Sequence, residues 1–147
     1  MIEDSRSIGM GTTIAAVLFL REGIAVVNVG DSSVFEYAAG HLEKLSTDDI
    51  PNSSGDSLGL PTSIVTQTLG GGRTLGVITP HLFEDRLVGS RQFLICSDGL
   101  TNFVHRGDIA AVLRDVGGVD AVHALLNCAL EAGAPDNVTV LLAEVEG

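Results

Sequence analysis

Basic residues are scarce in this chain. Eight Lys and Arg stand against nineteen Asp and Glu, a net charge of −11, and the eight are scattered, so no clustered patch exists to neutralise a phosphate backbone. Nucleic acid is therefore not an expected partner. Cysteine is scarce too: Cys96 and Cys128 are the only two. Both lie inside apolar stretches without zinc-ligand spacing, so both read as small buried side chains. Long hydrophobic runs are missing as well. The longest unbroken one, Ile14 to Leu20, is too short to span a bilayer, and the N-terminus lacks the basic region and apolar segment of a signal peptide. A cytoplasmic chain with no membrane span is expected. No internal repeat, low-complexity tract or long linker interrupts the sequence, and its 147 residues make one domain or part of one, able to bury roughly two thirds of the surface exposed when unfolded.

Three carboxylates stand out by position. Phe93-Leu94-Ile95-Cys96 runs out into Ser97-Asp98-Gly99, Val29-Gly30 leads into Asp31-Ser32, and Pro135-Asp136-Asn137 precedes Val138. Carboxylates placed where strands end can converge at one sheet edge. There they repel unless protonated or bound to a cation, and hard divalent ions such as Mg²⁺ or Mn²⁺ favour all-oxygen sites. Each segment also has an ordinary reading, because Asp-Gly and Pro-Asp-Asn are common turn sequences.

Along the chain, Thr12 to Leu20 and Ile24 to Val29 read as a buried hairpin turning at Arg21-Glu22-Gly23, given their β-branched and apolar content. Val34 to Tyr37 and Leu42 to Leu45 form a second hairpin around Ala38-Ala39-Gly40-His41, where Gly supplies a positive φ. Ser46 to Thr62 is polar and aperiodic and reads as a loop. Strands are expected at Ile64 to Leu69, broken by Gly70-Gly71-Gly72, then at His81 to Leu87, Phe93 to Ser97 and Val138 to Val145. Helical signals come late. Asp108 is placed to cap Ile109 to Arg114, and Val122, Leu125, Leu126, Ala129 and Leu130 recur at helical spacing before Gly133 and Pro135 end the run. Strands first and helices late, with hairpins, argue for an α+β sandwich rather than an alternating parallel fold.

Taken in order, Gly9-Met10-Gly11-Thr12-Thr13, Val29-Gly30-Asp31-Ser32, Leu94-Ile95-Cys96-Ser97-Asp98-Gly99-Leu100-Thr101 and Gly133-Ala134-Pro135-Asp136-Asn137-Val138-Thr139-Val140 resemble the bacterial type of the metal-dependent protein phosphatase 2C family. The resemblance runs from Gly9 to Val145. It implies a partial four-layer α-β-β-α sandwich with mainly antiparallel sheets, lacking the N-terminal segment. Domains of that family open with an Arg, an acidic pair and an Asp-Gly-rich motif that supplies a metal-bridging Asp, and only Met1 to Ile8 precede the first match here. Residues 1–147 are accordingly expected to be the C-terminal part of a single phosphatase 2C-like catalytic domain.

The implied activity is Mn²⁺- or Mg²⁺-dependent dephosphorylation of phosphoserine and phosphothreonine proteins by the complete domain, with the isolated chain inactive or impaired. The implied partner is a phosphorylated protein, a Ser/Thr kinase or its target. By motif, Asp98 and Asp136 match carboxylates that hold one ion of a binuclear centre, directly or through water, while Asp31 matches the one that helps hold a further, weaker ion beside Asp98. Asn137 orients the Asp136 loop and Gly99 lets the backbone turn close to the metals. No protein nucleophile is called for. The chain departs from bacterial relatives at Ser33 and Phe35, where Arg and Tyr are common, and its flap segment, Asp48 to Ser63, is short. Apolar surface left bare by the missing segment is expected to favour a homodimer.

Two other readings stay open. A phosphatase-like fold can serve as a non-catalytic regulatory or binding module. Gly30-Asp31-Ser32 also opens the signature of the Gly-Asp-Ser esterases, with Asp120 and His123 at a spacing that could complete a triad. That reading conflicts with the strand-like run after Ser32 and with Val122 on an apolar helix stripe. His41, His81, His105 and His123 are each expected to be surface or internally satisfied residues. Without a following Lys-Ser or Lys-Thr, the Gly70-Gly71-Gly72 run is not a phosphate loop.

Overall fold

Period-two apolar patterns generate the strands, and their pairing sorts them into layers. The computed structural model describes residues 9–51, 64–71 and 77–146. Its strands are β1 (Gly11–Thr12), β2 (Ile14–Phe19), β3 (Gly23–Val29), β4 (Ser33–Ala38), β5 (His41–Lys44), β6 (Leu69–Gly70), β7 (His81–Arg86), β8 (Arg91–Cys96) and β9 (Val140–Val145). Its helices are α1 (Asp98–Thr101), α2 (Arg106–Asp115) and α3 (Gly118–Glu131). The strands pair antiparallel throughout, in the orders β2-β3-β7 and β5-β4-β8-β9, with β1 and β6 as a short separate ribbon. The fold is α+β with mainly antiparallel sheets, as the sequence implies.

Two apolar cores define three layers. Ile24 and Val26 of β3 meet Val34 and Phe93 of the larger sheet, with Ala15, Val17, Ile95 and Ala143 packed around them. On the other face of the larger sheet, Phe35, Leu94 and Cys96 pack against Leu100, Ile109, Leu113, Ala121, Leu125 and Ala129 of the helices. Each fully buried Val, Leu, Ile or Phe among them contributes about 1.5–3 kcal/mol relative to exposure. The order is thus sheet, sheet, helices. Among the described residues nothing covers the outer face of β2-β3-β7, where Leu18 and Leu82 are 46% and 71% exposed.

Both expected hairpins form, the second turning at Ala39 and Gly40 with φ of 49° and 83°. Several boundaries differ. The stretch from Ile64 contributes only Leu69–Gly70 as strand, because its side chains bond to loops instead of a ladder: Gln67 grips the backbone of Thr79 at both N–H and carbonyl. Asp108 does not cap α2. The helix starts three residues earlier, with His105 at the cap position, and Asp108 lies in the first turn, where a negative charge complements the helix dipole. Asp120 is likewise a first-turn residue of α3. The buried stripe of α3 is Ala121, Leu125 and Ala129, while Leu130 is 64% exposed. Cys96 is buried and Cys128 only partly so. Most of the expected polar loop and flap (52–63), the third glycine of the 70–72 run and the N-terminal residues 1–8 lie outside the described residues. Among the described residues no helix is long and apolar enough to cross a membrane.

Candidate metal centre

Register brings the three singled-out carboxylates to one end of the larger sheet. Cys96 of β8 lies opposite Ser33 of β4 on one side and Val140 of β9 on the other. Asp31 comes two residues before Ser33, Asp98 two after Cys96, and Asp136 four before Val140, so all three leave the sheet at the same edge.

The Asp98 and Asp136 loops are laced together. Ser97 Oγ donates to the Asn137 carbonyl at 3.2 Å and accepts the Thr139 amide at 2.9 Å, while the Ser97 amide donates to the Thr139 carbonyl at 3.1 Å. Gly99 is buried against this loop with no room for a side chain. Asn137 donates its backbone amide to Asp136 Oδ1 at 2.7 Å, so it is the backbone of Asn137 that ties the loop. Asn102 Nδ2 donates to Asp98 Oδ2 at 3.2 Å.

Asp31 follows a turn at Gly30, whose φ is +103° and whose missing β-carbon would strike Thr13 Cγ2 at 2.3 Å. Thr13 Oγ1 also shares a 2.9 Å hydrogen bond with Ser32 Oγ. This accounts for Thr13 in the first motif. The Asp31 carboxyl is raised above the ordinary carboxylate value, first by burial and then by the negative charge of Asp98, with Asp48 and Asp136 adding to it and its own backbone amide opposing. The carboxylates therefore feel one another. Among the described residues, however, no three His, Cys, Asp or Glu side chains are gathered tightly enough to form a ready-made metal cage. The donor set of ionisable oxygens suits Mn²⁺ or Mg²⁺ in kind, and its spread suits coordination partly through water.

Asp48 and Asp49 carry weight that their loop sequence conceals. Asp48 pairs with Lys44 at 2.5 Å through Oδ2, while its buried Oδ1 has no partner among the described residues. Asp49 bonds to Gly30, Gln67 and His81. An acidic pair in a polar loop looks like solvated surface, and nothing in its spacing marks it otherwise. His81 is thus an internally satisfied histidine.

The esterase geometry does not assemble. Ser32 is followed at once by strand β4, its hydroxyl is engaged by Thr13, and His123 lies exposed on α3. Cys96 offers no nucleophile either, since burial pushes its thiol up to about 12, with Lys44 opposing and Asp48 and Asp98 adding to the rise.

No protein-family model matches the chain. The serine/threonine protein phosphatase PstP of Mycobacterium tuberculosis is 31% identical over 147 residues, an alignment that takes in 93% of this chain and 28% of PstP. The solved catalytic domain of PstP in complex with two manganese ions superimposes with a TM-score of 0.78 at 30% identity, covering 94% of this chain and 60% of that one. The serine/threonine phosphatase Stp1 of Staphylococcus aureus does so with a TM-score of 0.80 at 28% identity, covering 99% and 60%. The chain therefore spans less than a third of full-length PstP and about three fifths of these solved chains.

Proposed function

We propose that this chain, whose homologues are Ser/Thr phosphatases of the protein phosphatase 2C type, is the carboxylate-bearing part of a metal-dependent protein phosphatase domain. The observation that carries the reading is the common exit of Asp31, Asp98 and Asp136 from one sheet end, with the Asp31 carboxyl raised first by burial and then by the charge of Asp98, Asp48 and Asp136 adding less. Asp98 and Asp136 would hold one ion of a binuclear centre, directly or through water, and Asp31 with Asp98 would help hold a third, weaker ion. Gly99 and the backbone of Asn137 keep the two loops in contact. A bound Mn²⁺ or Mg²⁺ supplies a hydroxide at neutral pH and neutralises phosphoryl oxygens. The substrate is a phosphoserine or phosphothreonine protein, such as a Ser/Thr kinase or its target, and the products are the free hydroxyl and inorganic phosphate.

Three spread carboxylates make only part of a binuclear cage, so the 147-residue chain alone is expected to be inactive or impaired. Adding a segment with the family's Arg and Asp-Gly motifs should restore Mn²⁺-dependent turnover of a phosphothreonine peptide. The deficit of the isolated chain should lie in kcat more than in KM, because nucleophile activation and charge neutralisation are lost together. Full activity of the isolated chain would overturn that division of labour, and carboxylic-ester hydrolysis abolished by Ser32→Ala would favour an esterase.

A second reading draws support from the lack of a tight three-ligand cluster among the described residues. On that reading the chain binds phosphoproteins without turning them over. Phosphopeptide binding that persists when no added segment yields turnover would favour it.

A further inference from the structure

Gly30 and Asp49 are joined twice. The Gly30 amide donates to Asp49 Oδ2 at 2.8 Å, and the Asp49 amide donates to the Gly30 carbonyl at 2.9 Å. Just before them, the side chain of Asn28, which is 1% exposed, spans both backbone groups of Thr47: its Nδ2 donates to the Thr47 carbonyl at 2.7 Å and its Oδ1 accepts the Thr47 amide at 3.1 Å. Residues 47–49 thus run beside residues 28–30 like an extra ladder rung completed by side chains. On the opposite side, Thr13 closes against Gly30 and Ser32. The turn that presents Asp31 is held from both flanks.

The rest of the Asp49 carboxylate is engaged within the protein as well. Oδ2 also accepts Gln67 Nε2 at 3.0 Å, and Oδ1 lies 2.9 Å from His81 Nε2, with the side chain 11% exposed. Gln67 is anchored in turn to Thr79, and His81 opens β7. Oδ2 accepts two protein donors and Oδ1 faces His81, so most of the carboxylate's acceptor capacity is spent inside this node. A charged acceptor with several donors is also a strong, directional restraint.

We propose that Asp49 is a positioning residue for Asp31: it fixes the Gly30-Asp31 turn, through the Gly30 amide, in the orientation that directs Asp31 toward Asp98, and takes no place in the metal shell. The proposal rests on the metal-centre reading for its functional meaning, but the restraint on the turn is measurable without metal. Amide hydrogen exchange followed by NMR in the metal-free chain should show Gly30 and Asp31 losing at least tenfold in protection in Asp49→Asn, with Phe93 and Leu94 in β8 unchanged. Gln67→Ala, which leaves the Gly30 bond in place, should cause a smaller loss, and it serves as the second variant if Asp49→Asn folds poorly. Mn²⁺ alone, titrated by loss of the free-ion electron paramagnetic resonance signal, should bind about tenfold more weakly to Asp49→Asn. Leu125→Ala, destabilised in the distant helix core, should bind it as the parent does.

Unchanged protection of Gly30 and Asp31 in both variants would overturn the proposal. So would looser amides with Mn²⁺ affinity equal to that of the parent, since the turn would then be held for stability alone. Looser amides in the variant combined with no Mn²⁺ binding by the parent would support the restraint and sink the metal reading instead.

Discussion

A β-carbon added to Gly99 would stand 2.3 Å from the carbonyl oxygen of Asn137, far inside van der Waals contact. The first turn of α1, which begins at Asp98, thus lies directly on the loop that carries Asp136. Gly99→Ala must push the two apart. We expect a loss of about 1–3 kcal/mol, the usual scale for overpacking a close contact, read as a lower urea midpoint with an unchanged m-value. The variant should also show a weaker thermal response to Mn²⁺ than the parent. A wild-type midpoint and response would mean that the loops are not pinned at this point.

Arg91 of β8 joins the two sheets. Its Nη1 donates to Glu36 in β4 at 2.6 Å and to Asp85 in β7 at 3.2 Å, with the Arg91 and Glu36 side chains 14% and 13% exposed. Replacing it with Met leaves Glu36 confined between sheets without its cation. About 2–3 kcal/mol of destabilisation is expected, below the cost of breaking a fully buried pair because Asp85 is half exposed. Adding Glu36→Gln should recover part of the loss, and a double-mutant cycle measures how much.

Stability should carry the mark of Asp49 at acid pH. Burial alone would raise this carboxyl, but the Gly30 amide, Gln67 and His81 outweigh it and hold the group below its ordinary value. A depressed folded pKa means that the stabilisation is fully present above the unfolded value of about 3.9 and is lost as pH falls through the folded one. The stability gap between the parent and Asp49→Asn should therefore be flat from pH 7 to 5 and narrow below about pH 4. A gap that persists undiminished at pH 2 would show that the charge of Asp49 is not what matters.

The strand-end carboxylates and both hairpins were legible because they depend on local pattern: an apolar run, a turn residue, then Asp. Asp31, Asp98 and Asp136 are found that way, and the register of Ser33, Cys96 and Val140 then brings them to one sheet edge. What the pattern could not carry was non-local. Asp49 bonds to Gly30 across nineteen residues and to His81 across thirty-two, and no periodicity encodes such a pair. Leu69–Gly70 takes its strand pairing from Gly11–Thr12, which is equally remote. The start of α2 was missed for a different reason. Asp108 has the chemistry of a cap, but the helix begins at Arg106, and the same side chain serves the first turn through charge.

The outer face of β2-β3-β7 presents Ala16, Leu18, Ala25, Val27 and Leu82 beside the charge of Glu84, and cross-strand register places all six on one side. An apolar sheet face of this kind tends to find cover. At high micromolar concentration, light scattering should give a mass above that of one chain. Leu18→Ser combined with Leu82→Ser should return it toward the single-chain mass without lowering the urea midpoint by more than about 1 kcal/mol, since both side chains are already largely exposed. A parent that remains a single chain throughout the range would show that the face tolerates water.

Divalent ions should stabilise the chain through the carboxylates at the sheet end. A ligand that binds only the folded state adds about 2.7 kcal/mol at one hundred times its Kd, which for a chain of this size corresponds to a rise in Tm of several degrees. Mn²⁺ should produce such a rise in a concentration-dependent way, and EDTA should reverse it. Asp98→Asn should remove most of the effect, because Asp98 is the carboxylate shared by both proposed ion positions. Asp31→Asn should behave differently. In the absence of divalent ions it removes a carboxylate whose ionisation is opposed by burial and by the charge of Asp98, so at pH 7 the metal-free variant should be more stable than the parent. With Mn²⁺ the order should narrow or invert, because the parent then gains a ligand that the variant lacks. If Asp31→Asn is less stable than the parent under EDTA and equally responsive to Mn²⁺, the three carboxylates do not share a cation.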